Sequence, residues 1–359
     1  MDGSNYRVHW SKPICKEPGN YVAWPTIARK ADGELVVVFS GDREEHVCPY
    51  GKTELIRSQD AGENWSRPEV INNGPLDDRD AGIIVLKSGT LVMSSFTHAT
   101  WEKMDGFRKM GRWSPYQIDA WDRYCRKLSE ETRRRWLGNW SRRSTDGGRT
   151  WEPGVDSIGS GPHGPNETHD GRLVYVGTVG PDGRDGVVCA ESTDEACSWR
   201  RIGRIPISKE QEALEFSEPH VIEVSPGELI CVLRTDVRHT PFLYASRSPD
   251  GGKTWSTPEP TPMNGYDQPG HLKVLSDGRL LCTYGRRTEP FGQRACLSED
   301  GGRTWEIGDE IVLRDDSPNT DMGYPATAEI TPGEMLTVYY QVDRLGEKVS
   351  INATRWSLA

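Results

Sequence analysis

The chain has 359 residues, 38 of them Gly and 24 Pro, with hydrophobic residues at 35% and a formal net charge of -10. This composition is lean for a helical core and suits many short strands joined by turns, so an all-β fold is expected, carrying residues 1–359 as one radially repeated domain. The acidic balance has no sustained basic run beyond Arg133 to Arg135, which argues against nucleic acid as a partner, and no 18-residue apolar run marks a membrane span.

The N-terminal MDGSNYRVHWSK lacks the apolar stretch of a signal peptide, so a cytoplasmic location is expected, or a secreted or periplasmic one if a signal was trimmed. A strand near Tyr6 to Trp10 is expected to join the last repeat. From there an apolar strand, a turn ending in Gly and a second apolar strand recur: WPTIARKADGELVVVF, DAGIIVLKSGTLVMSSF, HGPNETHDGRLVYVG, EPHVIEVSPGELICVL, PGHLKVLSDGRLLCTY and YPATAEITPGEMLTVYY. The turn glycines are Gly33, Gly89, Gly171, Gly227, Gly278 and Gly333, with spacings of 56, 82, 56, 51 and 55. Hairpins at this spacing predict a six-bladed β-propeller.

Between the hairpins a second pattern recurs as SQDAGENW (Ser58 to Trp65), STDGGRTW (Ser144 to Trp151), STDEACSW (Ser192 to Trp199), SPDGGKTW (Ser248 to Trp255) and SEDGGRTW (Ser298 to Trp305). In these Asp boxes the Asp can cap backbone N–H groups, the Gly permits a positive φ and the Trp can pack on its own blade. They are read as structure, not as an active site. The spacing of 82 marks an insertion in blade two, between about Trp101 and Trp140. Its SPYQIDAWDRYCRKLSEETRRRWLGNW has helical spacing, a Ser-Pro start and Gly138 as a stop. Its aromatic residues Trp113, Tyr116, Trp121 and Tyr124 suit either a helical arm on the rim or a lid or dimer contact over the site. The eight cysteines are scattered without a CxxC pair and are expected as free, mostly buried thiols.

Nine residues before the turn glycines stand Trp24, Asp80, Pro162, Glu218, Pro269 and Tyr324, one structural address in six blades. If that address opens the strand nearest the axis, two acids and a phenol meet at one mouth beside His163, His220, Gln268 and Asp267.

On these residues the chain resembles the exo-sialidase (neuraminidase) family, which shares the six-bladed propeller and the Asp boxes. In that family the fourth blade carries a Glu, a turn and then an Arg on the return strand, matched here by Glu218 and Arg234 in SEPHVIEVSPGELICVLRTD; the last blade carries the nucleophilic Tyr, matched by Tyr324 in MGYPATAEITPGE. The resemblance implies release of a terminal sialic acid or related 2-keto sugar acid from a glycan, with Tyr324 as nucleophile and Glu218 as its base. The anomeric carbon of such a sugar carries a carboxylate, which would repel a carboxylate nucleophile but not a phenol. Arg234, with Arg287 or Arg294 from blade five, would hold the substrate carboxylate.

Blade one departs from the family pattern. Ala23 in YVAWPTIARK stands where sialidases have an Arg, leaving Arg43 or Arg79 as substitutes, and SGDREEHVCPYGKTELIRS lacks the expected acid/base Asp. His46 is the favoured proton donor there, then Asp42, with Asp80 offered by the next blade; Glu44 and Glu45 read equally well as a solvated charged loop. Two other readings stay open. One is a different propeller carbohydrate enzyme, a glycosidase or a uronate lyase using His46, His163, His220 and Tyr324; the other is a non-catalytic glycan-binding propeller. No cofactor or metal motif is present, and the oligomeric state is not indicated.

Overall fold

The computed structural model describes residues 5–180, 186–235 and 240–359. Six sheets of four antiparallel strands form the blades of a propeller. The innermost strands are Tyr21–Arg29, Asp77–Val85, Asn166–Glu167, Phe216–Ser225, Gly270–Val274 and Gly323–Thr331. The N-terminal strand Tyr6–Cys15 pairs with the C-terminal Ser350–Leu358 as the outer strand of blade six, so the two ends of the chain close the ring. That closure covers two edges that would otherwise be open.

Apolar clusters lie in the seams between neighbouring blades. The box tryptophans Trp65, Trp151, Trp199, Trp255 and Trp305 each pack where their own blade meets the preceding one, a wider role than packing on their own blade. Blade six has no box, yet its last strand supplies Trp356 to the seam with blade five, where the indole N–H donates to Thr337 Oγ1 at 2.9 Å. The box aspartates act as local caps: Asp300 Oδ1 accepts from Ser298 Oγ at 2.9 Å and from the Thr304 N–H at 2.8 Å, and these bonds, led by the Thr304 backbone, hold its carboxyl down to about 2. All eight cysteines are free, and only Cys197 is exposed.

The insertion is helical: α1 (Met104–Met110), α2 (Pro115–Lys127) and α3 (Glu130–Trp136). Ser114 caps α2 and Ser129 caps α3 through their hydroxyls. Trp113 and Trp121 are buried with Phe107 and Ile118 against Val47 and Tyr50 of the blade-one loop, while Tyr116 points to solvent. Glu44, read as a candidate for a merely solvated loop, accepts hydrogen bonds from the Trp121 indole at 2.8 Å and from Gln117 at 3.1 Å. The insertion therefore braces the loop that carries Asp42 to His46.

Four inner strands share one distortion. Trp24, Asp80, Glu218 and Tyr324 have φ of 57°, 50°, 46° and 53°, each within a register shift of its strand pairing. Such a bulge re-aims the side chain that carries it. Gly82, two residues after Asp80, lets the inner strands of blades two and three touch: a Cβ there would lie 2.2 Å from the Gly164 nitrogen. Because the seams hold the ring together, Trp255→Ala is expected to cost about 3–5 kcal/mol, read as a lower midpoint in equilibrium urea unfolding; an unchanged midpoint would contradict this packing account.

Candidate active site

The bulged residues meet. Tyr324 Oη donates to Glu218 Oε1 at 2.5 Å, and Arg234 Nη1 donates to the same oxygen at 2.6 Å and to Tyr324 Oη at 3.2 Å. The other nitrogen of Arg234 pairs with Asp267 Oδ1. Asp267 Oδ2 accepts from Arg287 Nη1 at 2.7 Å, and Arg287 Nη2 donates to Tyr340 Oη at 3.0 Å. One carboxylate thus spaces two guanidinium groups, both largely buried. Tyr324 is almost fully buried, and burial together with the adjacent Glu218 carboxylate drives its phenol well above the usual tyrosine range. A phenol in that state becomes a nucleophile only by passing its proton to the base it already touches.

Asp80 stands in the same charge cluster. Burial pushes its carboxyl up to about 7, with Arg79 opposing and Glu218 adding to the rise, and Oδ1 is buried with no hydrogen-bond partner among the described residues. Glu218 Oε2 is in the same condition. Two orphaned acceptors beside a buried phenol are what a site looks like when its ligand supplies the missing donors.

The two candidate replacements for the blade-one arginine differ sharply. Arg43 is fully buried and consumed by Asp77, at 2.5 and 3.0 Å from its two carboxylate oxygens, and by the Asp78 and His46 carbonyls. It is a structural clasp between blades one and two, not a free substrate ligand. Arg79 lies over the Trp24 ring at 4.4 Å, and no carboxylate among the described residues forms an ion pair with it. Trp24 is the floor shared by this pair: Arg43 lies at 5.1 Å from its ring, and its edges meet Tyr324 and His46.

Several expected contacts lie elsewhere. Arg294 is buried within blade five, donating to the carbonyls of Gln293, Pro290 and Arg314, so its donors are spent away from Arg234 and Arg287. Gln268 is fully buried and accepts the Tyr324 backbone N–H at 3.2 Å, which makes it a support for the bulge. His163 and His220 pack with His271 along the axis, His220 stacked on His271 at 4.7 Å; burial takes His220 down to about 3 and the other two well below the usual range. They are neutral packing groups walled off from solvent. Asp42 is paired with Lys52. His46 Nδ1 lies 2.9 Å from Tyr21 Oη; burial, with Arg79 and Arg43 nearby and the Asp321 carboxylate opposing, lowers it to about 4. A neutral imidazole is a poor proton donor near pH 7, which argues against the role expected of His46. Among the described residues no group of His, Cys, Asp and Glu is arranged to hold a metal ion.

One participant, Tyr340, escaped the sequence reading, and Asp267 was placed beside the mouth without a role. Tyr340 stands seven residues after its turn glycine, as Arg234 does after Gly227, so the same counting on the return strand finds it. Asp267 takes a φ of 55° two residues ahead of the blade-five address, which Pro269 occupies.

These features define a six-bladed Asp-box propeller whose mouth is centred on a buried tyrosine–glutamate–arginine cluster. Residues 126–336 match the BNR repeat-like domain, and the chain belongs to that family. A protein of unknown function from Dyadobacter fermentans has a similar structure, with 24% identity and a TM-score of 0.80 over 99% of this chain and 100% of that one. A Hadza microbial sialidase shares 17% identity with a TM-score of 0.65 over 93% of this chain and 65% of that one. The α-L-arabinofuranosidase of Fusarium graminearum shares 15% identity with a TM-score of 0.64, covering 98% of each chain. At these identities the likeness establishes the fold. No curated protein matches the chain by sequence.

The His46 assignment is open to direct measurement. Its imidazole signals in a pH-dependent NMR titration are expected to shift with a midpoint near 4; a midpoint at or above the ordinary histidine value would return it to the list of proton donors.

Proposed function

We propose that the chain is a retaining exo-glycosidase that releases a terminal sialic acid or related 2-keto sugar acid from a glycan, with Tyr324 as nucleophile and Glu218 as its base. The observation that carries this reading is the 2.5 Å hydrogen bond from Tyr324 Oη to Glu218 Oε1, buttressed by Arg234. The proton of Tyr324 passes to Glu218 as the phenol oxygen bonds to the anomeric carbon, while the glycosidic C–O bond breaks and its oxygen takes a proton from Asp80. Water then attacks the same carbon, giving its proton to the Asp80 carboxylate; the bond to Tyr324 breaks and Glu218 returns the proton to the phenol oxygen. Asp80 suits both halves because burial raises its carboxyl to about 7, within reach of both protonation states. Arg79, over Trp24, faces the substrate carboxylate together with Arg234 and Arg287, in place of the arginine that Ala23 lacks.

A second reading is supported by the same Asp80. A raised carboxyl coupled to Glu218 is the pairing that glycosidases of neutral sugars use with a carboxylate nucleophile, and the similarly folded arabinofuranosidase acts in that broader class. The two readings part at Tyr324.

Hydrolysis of an aryl sialoside is expected to fall by about 10³-fold or more in Tyr324→Phe and to be similarly impaired in Glu218→Gln. Full activity in both variants, or activity on an aryl arabinofuranoside in place of the sialoside, would sink the proposal. The acid role has its own signature. Asp80 must be protonated to donate, so kcat/KM is expected to decline as pH rises through about 7. Asp80→Asn should remove that limb and lower the rate on an oligosaccharide by about 10²–10⁴-fold; a limb that survives the substitution excludes Asp80 as the acid.

A further inference from the structure

The insertion and blade two enclose a second cleft, of about 200 Å³, lined by Asn72, Asp78, Thr97, Trp136, Trp140 and Arg142. None of the roles assigned to the mouth uses it. Trp136 ends α3 and is 37% exposed, with its ring on the wall of the cleft. Trp140 is pinned at its indole N–H between the Trp136 carbonyl, at 3.3 Å, and Thr97 Oγ1, at 3.4 Å. Glycine keeps the walls back: a Cβ at Gly74 would come 3.3 Å from Trp136, and one at Gly154 would come 3.5 Å from Trp140.

The polar groups of the cleft are held apart. Asp78 is 1% exposed, and among the described residues its Oδ2 accepts from the Gly74 N–H alone, at 3.2 Å. Arg142 donates to Asn72 Oδ1 at 2.8 Å and to the Ile71 carbonyl at 3.4 Å. Both border the same space, yet no ion pair joins them among the described residues. A buried carboxyl and a guanidinium separated across a gap are matched by a ligand that presents donors and acceptors along one edge and C–H groups on its faces. A sugar ring has that edge in its vicinal hydroxyls, and its apolar face suits an indole. Arg135 and Arg142 line the same cleft and can donate to hydroxyl oxygens. Asp78 lies two residues before Asp80 on the inner strand of blade two, so the cleft and the mouth share that strand.

We infer that the Trp136–Trp140 cleft binds one neutral pyranose ring, the sugar next to the terminal residue in the substrate; its link to the substrate rests on the glycosidase reading, whereas its affinity for the sugar does not. Lactose is the probe. Calorimetric titration of the whole chain with lactose is expected to give saturable binding in wild type and in Tyr324→Phe, with at least ten-fold weaker binding in Trp136→Ala. Gly154→Leu keeps both tryptophans and fills the space, and it is expected to weaken binding equally without lowering the thermal midpoint. In hydrolysis, both cleft variants should raise KM for sialyllactose about ten-fold while leaving KM for an aryl sialoside unchanged. Absence of lactose binding to wild type, or unchanged binding in both cleft variants, overturns the inference; so does loss of self-association in Trp136→Ala with lactose binding intact, which would make the cleft a contact between copies of the chain. Lactose binding that responds to the cleft variants in a protein without sialosidase activity would leave the sugar site standing and refute the catalytic reading instead.

Discussion

Trp24, Asp80, Glu218 and Tyr324 occupy the same position in four blades, and each holds a φ between 46° and 57° that a side-chain-bearing residue adopts at a cost of about 1–3 kcal/mol. Without that kink the inner strand would continue its alternation, and these side chains would not be directed at one another. The propeller supplies what the kink requires. Gln268 is buried and accepts the Tyr324 N–H, and the Ser40 hydroxyl lies 3.1 Å from the Asp80 N–H. The seams filled by the box tryptophans keep those supports in register. The strain sits at residues that converge on the mouth and is offset by packing distributed around the ring.

The mouth that results is a problem in proton placement. Tyr324, Glu218 and Asp80 are close enough to perturb one another, and Arg234 bonds directly to the first two. Burial disfavours charge on the phenol and on Asp80, whereas the paired arginines favour an anion among them. Asp267 and Glu218 match Arg234 and Arg287 and hold them side by side, and Arg79, over Trp24, forms no ion pair among the described residues, facing a site with orphaned acceptors. An anionic sugar ring with hydroxyl donors complements that arrangement. Arg43 contributes indirectly, by clasping Asp77 and thereby fixing the start of the strand that carries Asp80.

The blades were legible because the turn glycines recur and because the apolar runs on either side of them fill seams on both faces of a blade. Tyr324 and Glu218 were legible for the same reason: a fixed offset from a turn becomes a fixed place around the axis; Arg234 was legible only through the resemblance of its blade to a family pattern. What stayed hidden depends on contacts between blades. Nothing local distinguishes Arg43 from Arg79; the partner that consumes Arg43 is Asp77, on the next blade. His46 sits in a loop of charged residues and reads as a proton donor, but Trp24 and Tyr21 pack against it. Arg294 and the axial histidines likewise met their partners across strands or seams, where sequence spacing carries no information. The box tryptophans were read as packing within a blade because the repeat shows each blade singly, while their burial comes from the blade before.

The central claim is that Tyr324 forms the covalent intermediate, and trapping tests it most directly. Incubation with a sialosyl fluoride that also carries fluorine beside the anomeric carbon, followed by proteolysis and tandem mass spectrometry, should place the added sugar mass on Tyr324. The Tyr324→Phe protein should carry none. A sugar adduct found on Glu218 or Asp80 instead would contradict the account.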